Sequence, residues 1–318
     1  MRKLSLEIPE ITMSKTLKLF GIAAAGALGI CAQTASAGTP SGDYAVFQHC
    51  PYQSNDQVTA CVVSTITSGS FKIGKATVPI TKPIVLQGGV NNIAGLGALY
   101  VPVDGAPAMS ATPLEVPGGL LGLMEPDSTW PGPLAQAFWH IVNTVNDVYA
   151  TAEPVGPAQA NLINASFPPL PPEDPTVIQL PIRIHLQNPF LGNTCYIGSA
   201  SHPIVLKLVA NTTSPPPPNT PISGVPAALS FLDTTDPVGQ ILMADGGTLV
   251  DNSFAVPKAE GCGNTLLPIP IVTPILQGIV TAAVNLKEGL PAAAGKNTAI
   301  MSGDTAIGPT IYVQASEK

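Results

Sequence analysis

Charged side chains are scarce in this sequence: Asp, Glu, Lys and Arg together make up 10% of its 318 residues. Those present are mostly acidic, with 20 Asp and Glu against 13 Lys and Arg. Proteins that bind nucleic acids or anionic membrane surfaces neutralise phosphates with clusters of basic side chains. The composition therefore argues against both kinds of partner. Hydrophobic residues make up 45% of the chain, which is too many for a disordered polymer.

The first apolar run in the sequence is too short to cross a bilayer. It covers residues 19–30, whereas a spanning helix needs about 20 apolar residues. Lys15 and Lys18 precede the run, and Ala35-Ser36-Ala37 behind it matches the small-x-small pattern of a cleavage site. These features predict a cleaved signal peptide over residues 1–37, a secreted (extracellular or cell-envelope) protein and no transmembrane anchor.

Cysteines are few, and no two of them form the CxxC pair typical of zinc sites. Cleavage would remove Cys31, which a lipoprotein would need as its acylated residue, and the bulky Ile30 before it disfavours that alternative. The four cysteines that remain are an even number outside the cytoplasm, which predicts two disulfides. Four cysteines allow three connectivities. We favour the one that keeps each bridge within its half of the chain: Cys50–Cys61 and Cys195–Cys262.

Recognisable catalytic motifs are missing. There is no GxSxG elbow and no phosphate-binding glycine loop, and the histidines lack metal-ligand spacing. Ser199 and Ser201 are the only serines near His202 that suggest a hydrolase. Asp245 and Asp251 are a weak alternative as calcium ligands. We therefore predict no catalytic, cofactor-binding or metal-binding residues, and favour a protein that is not an enzyme. The four histidines are His49, His140, His185 and His202.

Strand patterns dominate the mature sequence. From residue 178 to residue 186, Ile and Leu alternate strictly with other residues, so one strand face meets a core and the other meets water. Pro181 predicts an edge strand or a bulge, because proline donates no ladder hydrogen bond. The run 204–209 is apolar on both faces except at Lys207, which predicts a deeper strand. Further strands are predicted at residues 44–48, 58–66, 71–73, 77–80, 84–87, 98–103, 228–232, 247–256 and 310–313.

Two segments have helical periodicity instead. Leu134, Phe138 and Ile141 belong to an apolar stripe that predicts a helix over about 133–151. A second helix is predicted over about 274–288, and its narrow polar stripe predicts that it is mostly buried. The predicted fold class is therefore mainly β, a sandwich or irregular barrel with two packed helices. The polar stripe of the second helix consists of Gln277, Thr281, Asn285 and Glu288.

Proline and glycine are abundant, with 35 and 30 residues, so much of the chain must form turns and loops. We predict a single β-rich domain over residues 38–318, because a chain of this length can bury one substantial core. In the alternative of two β subdomains, the boundary would lie near the proline tract at residues 167–175.

Three stretches carry a resemblance to a known family. They are residues 46–51 (VFQHCP), residues 188–201 around Cys195, and Gly261-Cys262-Gly263. Together with the signal peptide they resemble a family of secreted actinobacterial proteins of unknown function. The resemblance covers nearly the whole mature chain and implies export and disulfides but no activity.

The sequence thus favours a non-catalytic secreted or cell-envelope-associated binding or structural protein. Its ligand is unknown, and an envelope component or an apolar molecule would suit the composition. An extracellular hydrolase with an unmarked active site is the alternative.

Overall fold

Antiparallel strands are the main element of the protein, described by a computed structural model at residues 38–93, 97–103, 109–120, 132–263 and 272–318. The predicted signal peptide at residues 1–37 lies outside this part of the chain. The described strands are β1 (Ala60–Ile73), β2 (Ala76–Pro79), β3 (Ile84–Ile93), β4 (Gly97–Val101), β5 (Met109–Ala111), β6 (Leu114–Glu115), β7 (Tyr149–Pro154), β8 (Gln159–Ala160), β9 (Thr176–Gln187), β10 (Tyr196–Ile197), β11 (Ile204–Val209), β12 (Ala228–Thr235), β13 (Val238–Asp251), β14 (Ala259–Glu260) and β15 (Thr298–Pro309). The described α-helices are α1 (Pro133–Asn146), α2 (Val272–Glu288) and α3 (Thr310–Ala315).

The strands form one antiparallel sheet that curls into a half-barrel. Its order is β14-β10-β9-β11-β13-β15-β1-β3-β4, with β7 and β8 on the other side of β9 and β12 on β13. Curling gives the sheet a concave face, and apolar side chains from the inner side of each strand meet there. The prediction of a mainly β fold, with a sandwich or irregular barrel and few helices, is confirmed.

Strand β9 carries the alternating sequence pattern, and its burial alternates as predicted. It is not an edge strand, because β11 lies on one side and β7 and β8 lie on the other. Pro181 occupies the gap between β7 and β8, where its carbonyl accepts the Val155 N–H at 3.0 Å. The nitrogen and carbonyl of a strand residue face the same neighbour, so the missing N–H also falls in this gap. The edge-strand prediction for Pro181 is therefore wrong. The ladder is nevertheless interrupted beside this proline, where the four residues 155–158 between β7 and β8 face two residues of β9.

Strand β11 lies in the main core, as predicted, with Ile204 and Leu206 at 0% exposure. This core fills much of the concave side of the sheet. A smaller cluster packs around Tyr44 and Phe47 on the other face of β1. Cys61 belongs to the smaller cluster and Val62 to the main core, because successive strand side chains point to opposite faces.

Two disulfides join neighbouring elements. Cys50 is bonded to Cys61 near the start of β1, with 5.5 Å between their Cα atoms. Cys195 precedes β10 and is bonded to Cys262, which follows β14. The Leu186 N–H donates to the Cys195 carbonyl at 2.8 Å, so the second bridge also adjoins β9. These bridges are the connectivity favoured on the sequence.

The described residues from 38 to 318 group into one compact unit. The proline tract at 167–175 runs between a 3₁₀ helix (Leu162–Ala165) and β9. The Asn164 side chain donates to the carbonyls of Asp174 at 3.1 Å and Thr176 at 3.0 Å. This buried amide holds the far end of the tract against the 3₁₀ helix.

The first predicted helix is too long at its C-terminal end. Helix α1 ends at Asn146, and residues 149–151 belong to β7 rather than to the helix. The Asn188 side chain explains the end point, since it donates to the carbonyls of Val145 and Asp147 at 2.8 Å each. Helix carbonyls at a C-terminus need such outside donors. The chain after Asp147 is then free to pair with β9.

Two predicted strands are helical. Residues 44–48 lie mostly in a 3₁₀ helix (Gly42–Phe47), where Tyr44 and Phe47 are both buried. Residues three apart share one side of a 3₁₀ helix, which accounts for their joint burial. Residues 310–313 form the start of α3, which buries Val313 in the smaller cluster. In both segments a short helix places buried residues in the cluster that contains Cys61 of β1.

Candidate functional site

A large cavity lies between α2 and the concave face of the sheet, and we call it the outer cavity. Its volume is about 720 Å³. Small-molecule sites typically occupy about 300–1,000 Å³. Strands β1, β2, β3, β7 and β9, residues 111–120 and α2 supply its walls. The lining is almost entirely apolar and includes Phe71, Ile73, Val78, Ile84, Leu114, Val116, Leu120, Val148, Ile182, Ile184, Leu186, Phe190, Leu191, Ile197, Val280 and Val284.

The alternation of β9 directs a continuous apolar face toward the outer cavity. Ile182, Ile184 and Leu186 line it in succession, because alternate strand residues share a face. On β7, Ala150 and Ala152 pair with Leu186 and Ile184. These small residues leave space where larger ones would close the interior. The sequence pattern identifies the inner face of β9, but it is equally consistent with a filled core.

Helix α2 forms one wall of the outer cavity and is held to β14 by polar side chains. The Asn285 amide donates to the Ala259 carbonyl at 3.0 Å and accepts the Ala259 N–H at 2.7 Å. One turn earlier, the Thr281 hydroxyl donates to the Cys262 carbonyl at 3.3 Å. The disulfide partner of Cys262, Cys195, adjoins β10, so the helix is fastened to the same edge of the sheet.

The prediction that α2 is mostly buried is wrong for its described part. Thr281 and Asn285, in the polar stripe, contact β14 and the residues after it, whereas Ile279 is 61% exposed and Leu286 is 77% exposed. Val284 is buried and lines the outer cavity. The stripe faces inward because the backbone groups of β14 need hydrogen-bond partners, which an apolar helix face cannot supply.

Charge at the outer cavity is confined to the end of α2. Among the described residues that line it, only Lys287 and Glu288 are charged. The Lys287 ammonium lies 3.2 Å from a Glu288 carboxylate oxygen and donates to the Gly119 carbonyl. The two charges offset each other, so this end of the cavity offers hydrogen-bonding groups without a net charge.

A second cavity of about 110 Å³, the inner cavity, lies further along the concave face. Its lining is also mainly apolar, and the Thr305 hydroxyl donates to the Ser64 hydroxyl at 2.9 Å. Tyr100 lines it as well and donates its hydroxyl to the Gln87 carbonyl. Burial raises the pKa of the Tyr100 phenol to about 12.

The outward face of β9 carries a cross-strand polar cluster. The Arg183 guanidinium donates to Glu153 on β7 from Nε at 2.8 Å and lies 2.7 Å from it at Nη2. Arg183 also covers the Tyr196 ring at 4.1 Å, and the His185 ring stacks on Tyr196 at 4.5 Å. These contacts join β7, β9 and β10 across the sheet face opposite the cavities, which is a structural role.

The histidines do not converge on a cleft in the described part of the chain. None of the four lines either cavity. Ser201 Oγ lies 3.1 Å from His202 Nδ1, and Ser199 Oγ lies 3.1 Å from Ser201 Oγ, all on one exposed turn. The backbone groups of Ser199 and His202 bond each other, so turn formation accounts for these contacts. Neither the outer nor the inner cavity includes a residue of this turn.

The two candidate calcium ligands both lie on β13 and have other partners. Asp245 accepts the Ser230 hydroxyl at 2.8 Å across the β12–β13 pair. Asp251 is buried and accepts the Lys207 N–H at 2.7 Å and the Ser253 hydroxyl at 2.7 Å. Within the described residues, no group of three or more His, Cys, Asp or Glu side chains is placed to hold a metal ion.

Searches of family profiles, curated proteins and solved structures found no match for this chain. Of the helices that the structure describes, none is long and apolar enough to cross a membrane.

Proposed function

We propose that the protein is a non-catalytic binding protein, secreted or associated with the cell envelope, whose ligand is an apolar molecule. The observation that carries this proposal is the outer cavity of about 720 Å³ with its apolar lining. Ligand pockets are typically concave and apolar, with a small number of polar groups that orient the ligand. Lys287 and Glu288 are such groups at one end of the outer cavity.

The size of the outer cavity argues for an occupant. Protein interiors are normally packed without voids much larger than a water molecule. The outer cavity is partly open to solvent, so water reaches its apolar walls when it is empty, and an apolar occupant would remove that surface from water. Ordered water is a poor filler, because each molecule needs about two to four polar partners and the walls offer few.

The lining also restricts the chemistry of the ligand. An apolar body would gain from burial against β9 and α2, at about 25 cal/mol per Å² of apolar surface removed from water. A polar end would fit beside Lys287 and Glu288, where the charges offset each other. A lipid with an uncharged or weakly polar head and an unbranched hydrocarbon chain satisfies both conditions.

Export is the second part of the proposal. The two disulfides are consistent with an oxidising compartment. The small-x-small site predicts that the mature protein begins at Gly38. Mass spectrometry of protein collected outside the cytoplasm tests this expectation. A diacylglycerol attached to Cys31 would contradict it.

Ligand binding is tested with protein that begins at Gly38 and carries both disulfides. Solvent extraction followed by mass spectrometry should reveal a co-purified lipid. The delipidated protein should bind the apolar fluorophore N-phenyl-1-naphthylamine. Absence of both a lipid and fluorophore binding would contradict the proposal.

A matched pair of variants locates the binding site on α2. Both alanines are exposed, but Ala283 lines the outer cavity and the neighbouring Ala282 does not. Ala283→Trp should weaken fluorophore binding about tenfold or more by filling the cavity, and Ala282→Trp should leave it unchanged. Equal effects of the two substitutions would show that the fluorophore binds elsewhere.

A further inference from the structure

The inner and outer cavities share four lining residues, and each comes from a different strand. Phe71 lies on β1, Ile84 on β3, Ala152 on β7 and Ile182 on β9. We call these four residues the waist ring. On β1 and β9, residues to one side of the ring line only the outer cavity, and residues to the other side line only the inner one. The ring members of β3 and β7 lie at the end of their strand's contribution: the other lining residues of β3 face only the inner cavity, and Ala150 of β7 faces only the outer one. The ring therefore separates two spaces inside the same curled sheet.

Strand β9 shows the arrangement most directly. Its inner face runs from Ile178 and Leu180 beside the inner cavity, through Ile182, to Ile184 and Leu186 beside the outer cavity. The eight steps from residue 178 to residue 186 span about 26 Å at roughly 3.3 Å per residue. An extended hydrocarbon advances roughly 1.25 Å per carbon for a C–C bond of about 1.5 Å, so the wall matches about 20 carbons in length. The volume of the inner cavity, about 110 Å³, limits its own share to about four methylenes, each of nearly the ~30 Å³ that a water molecule occupies.

We propose that the two cavities are compartments of one ligand tunnel and that the waist ring determines how long a hydrocarbon chain the protein accepts. This inference rests on the proposed function and specifies the ligand as a long, unbranched chain. The ligand's thin end passes the ring and enters the inner cavity, and its wider end stays in the outer cavity.

Two features of the ring and the inner cavity support this assignment. Ala152 is the smallest member of the ring, so the gap that this assignment requires lies where the ring has the least side-chain volume. The polar groups of the inner cavity are already satisfied, because Ser64 and Thr305 bond each other and Tyr100 donates to a carbonyl. A hydrocarbon end would therefore leave no buried hydroxyl without a partner.

Ala152→Leu tests the ring by closing the gap. Its matched control is Ala150→Leu, a substitution two residues away on the same face of β7 that affects only the outer cavity. Binding of linear alcohols of about 8 to about 16 carbons is measured by displacement of N-phenyl-1-naphthylamine. Each added methylene should raise the affinity up to about fourfold while it is buried.

The expected result is a change in the length dependence. Wild-type affinity should rise to about 14 carbons, because the inner cavity adds room for about four methylenes. Ala152→Leu should instead reach a plateau near the roughly 10 carbons that fit between residues 182 and 186. Ala150→Leu should weaken all lengths by a similar factor and keep the rise. Phe71→Leu widens the ring, so the affinity gained per added carbon should increase for the longest chains. This variant tests the proposal independently if Ala152→Leu does not fold.

A rise that is the same in wild type, Ala152→Leu and Phe71→Leu would overturn the waist-ring proposal while leaving apolar binding intact. A wild-type plateau near 10 carbons would also overturn it. If the wild type binds neither the fluorophore nor any alcohol, the proposed function itself fails.

Discussion

Asn285 should be the most sensitive single position on α2, and Asn285→Ala is the change that tests it. The substitution removes one bond donated to the Ala259 carbonyl and one accepted from the Ala259 N–H. Ala259 is fully buried, so its backbone groups would lose their partners without gaining water. Two hydrogen bonds contribute about 1 kcal/mol each, and an unsatisfied buried group adds about 1–2 kcal/mol.

Alanine offsets part of this loss, because it favours helix over asparagine by about 0.6 kcal/mol. The net expectation is a decrease of about 2–3 kcal/mol in the free energy of unfolding. The matched control is Leu286→Ala on the next residue, whose side chain is 77% exposed. Its change should stay within about 0.5 kcal/mol. Urea denaturation followed by circular dichroism measures both variants.

The same pair of variants links stability to binding. Val280 and Val284 on α2 line the outer cavity, so loosening the helix should weaken fluorophore binding in Asn285→Ala but not in Leu286→Ala. A loss below about 0.5 kcal/mol in Asn285→Ala would refute the view that the polar stripe holds α2 to β14. So would equal binding in the two variants.

Two further predictions concern the bridge and the buried phenols. Cys195→Ser should lower the free energy of unfolding by about 4 kcal/mol, which is the chain-entropy value for a bridge of sequence separation 67. Cys262 should then react with an alkylating reagent, whereas Cys50 and Cys61 should not. Alkylation of Cys50 or Cys61, or an unchanged melting temperature, would contradict this prediction. Burial raises the Tyr100 pKa from 10.0 to about 12, so its stabilising contribution is complete below pH 10 and is lost as the pH rises toward 12. Tyr100→Phe should flatten this alkaline loss in pH-dependent unfolding, and Tyr52, whose pKa is also raised by burial and by Glu317, should account for a remaining part. An alkaline slope identical to the wild type would show that the Tyr100 phenol does not contribute.

Local patterns in the sequence are enough to predict the strands whose apolar residues alternate or form a continuous run. The alternation of β9 and the apolar run of β11 depend only on the two-residue period of a strand, and the structure has both. The spacing of apolar residues likewise predicts α2 to within two residues of its observed start. The choice of disulfides needed only the even count and the position of each cysteine in the chain.

Contacts between distant residues decided what these local patterns left open. Helix α1 ends at Asn146, where the side chain of Asn188 donates hydrogen bonds to the carbonyls of Val145 and Asp147. Asn188 lies 42 residues beyond Asn146, so no pattern near residue 146 contains that information.

The sequence alone does not determine which way the polar stripe of α2 faces, because this too depends on contacts with distant residues. Helical periodicity separates polar from apolar faces but does not say whether the polar face meets water or the unpaired backbone of β14.

The cavities are the clearest example of a feature that depends on the tertiary structure. By itself, the sequence determines that β9 has an apolar inner face, which suits a filled core and a binding site equally well. Whether that face is covered depends on the curl of the sheet, the alanines of β7 opposite it and the position of α2. Volume is a property of several strands at once, so only the tertiary structure decided that the interior holds space for a ligand.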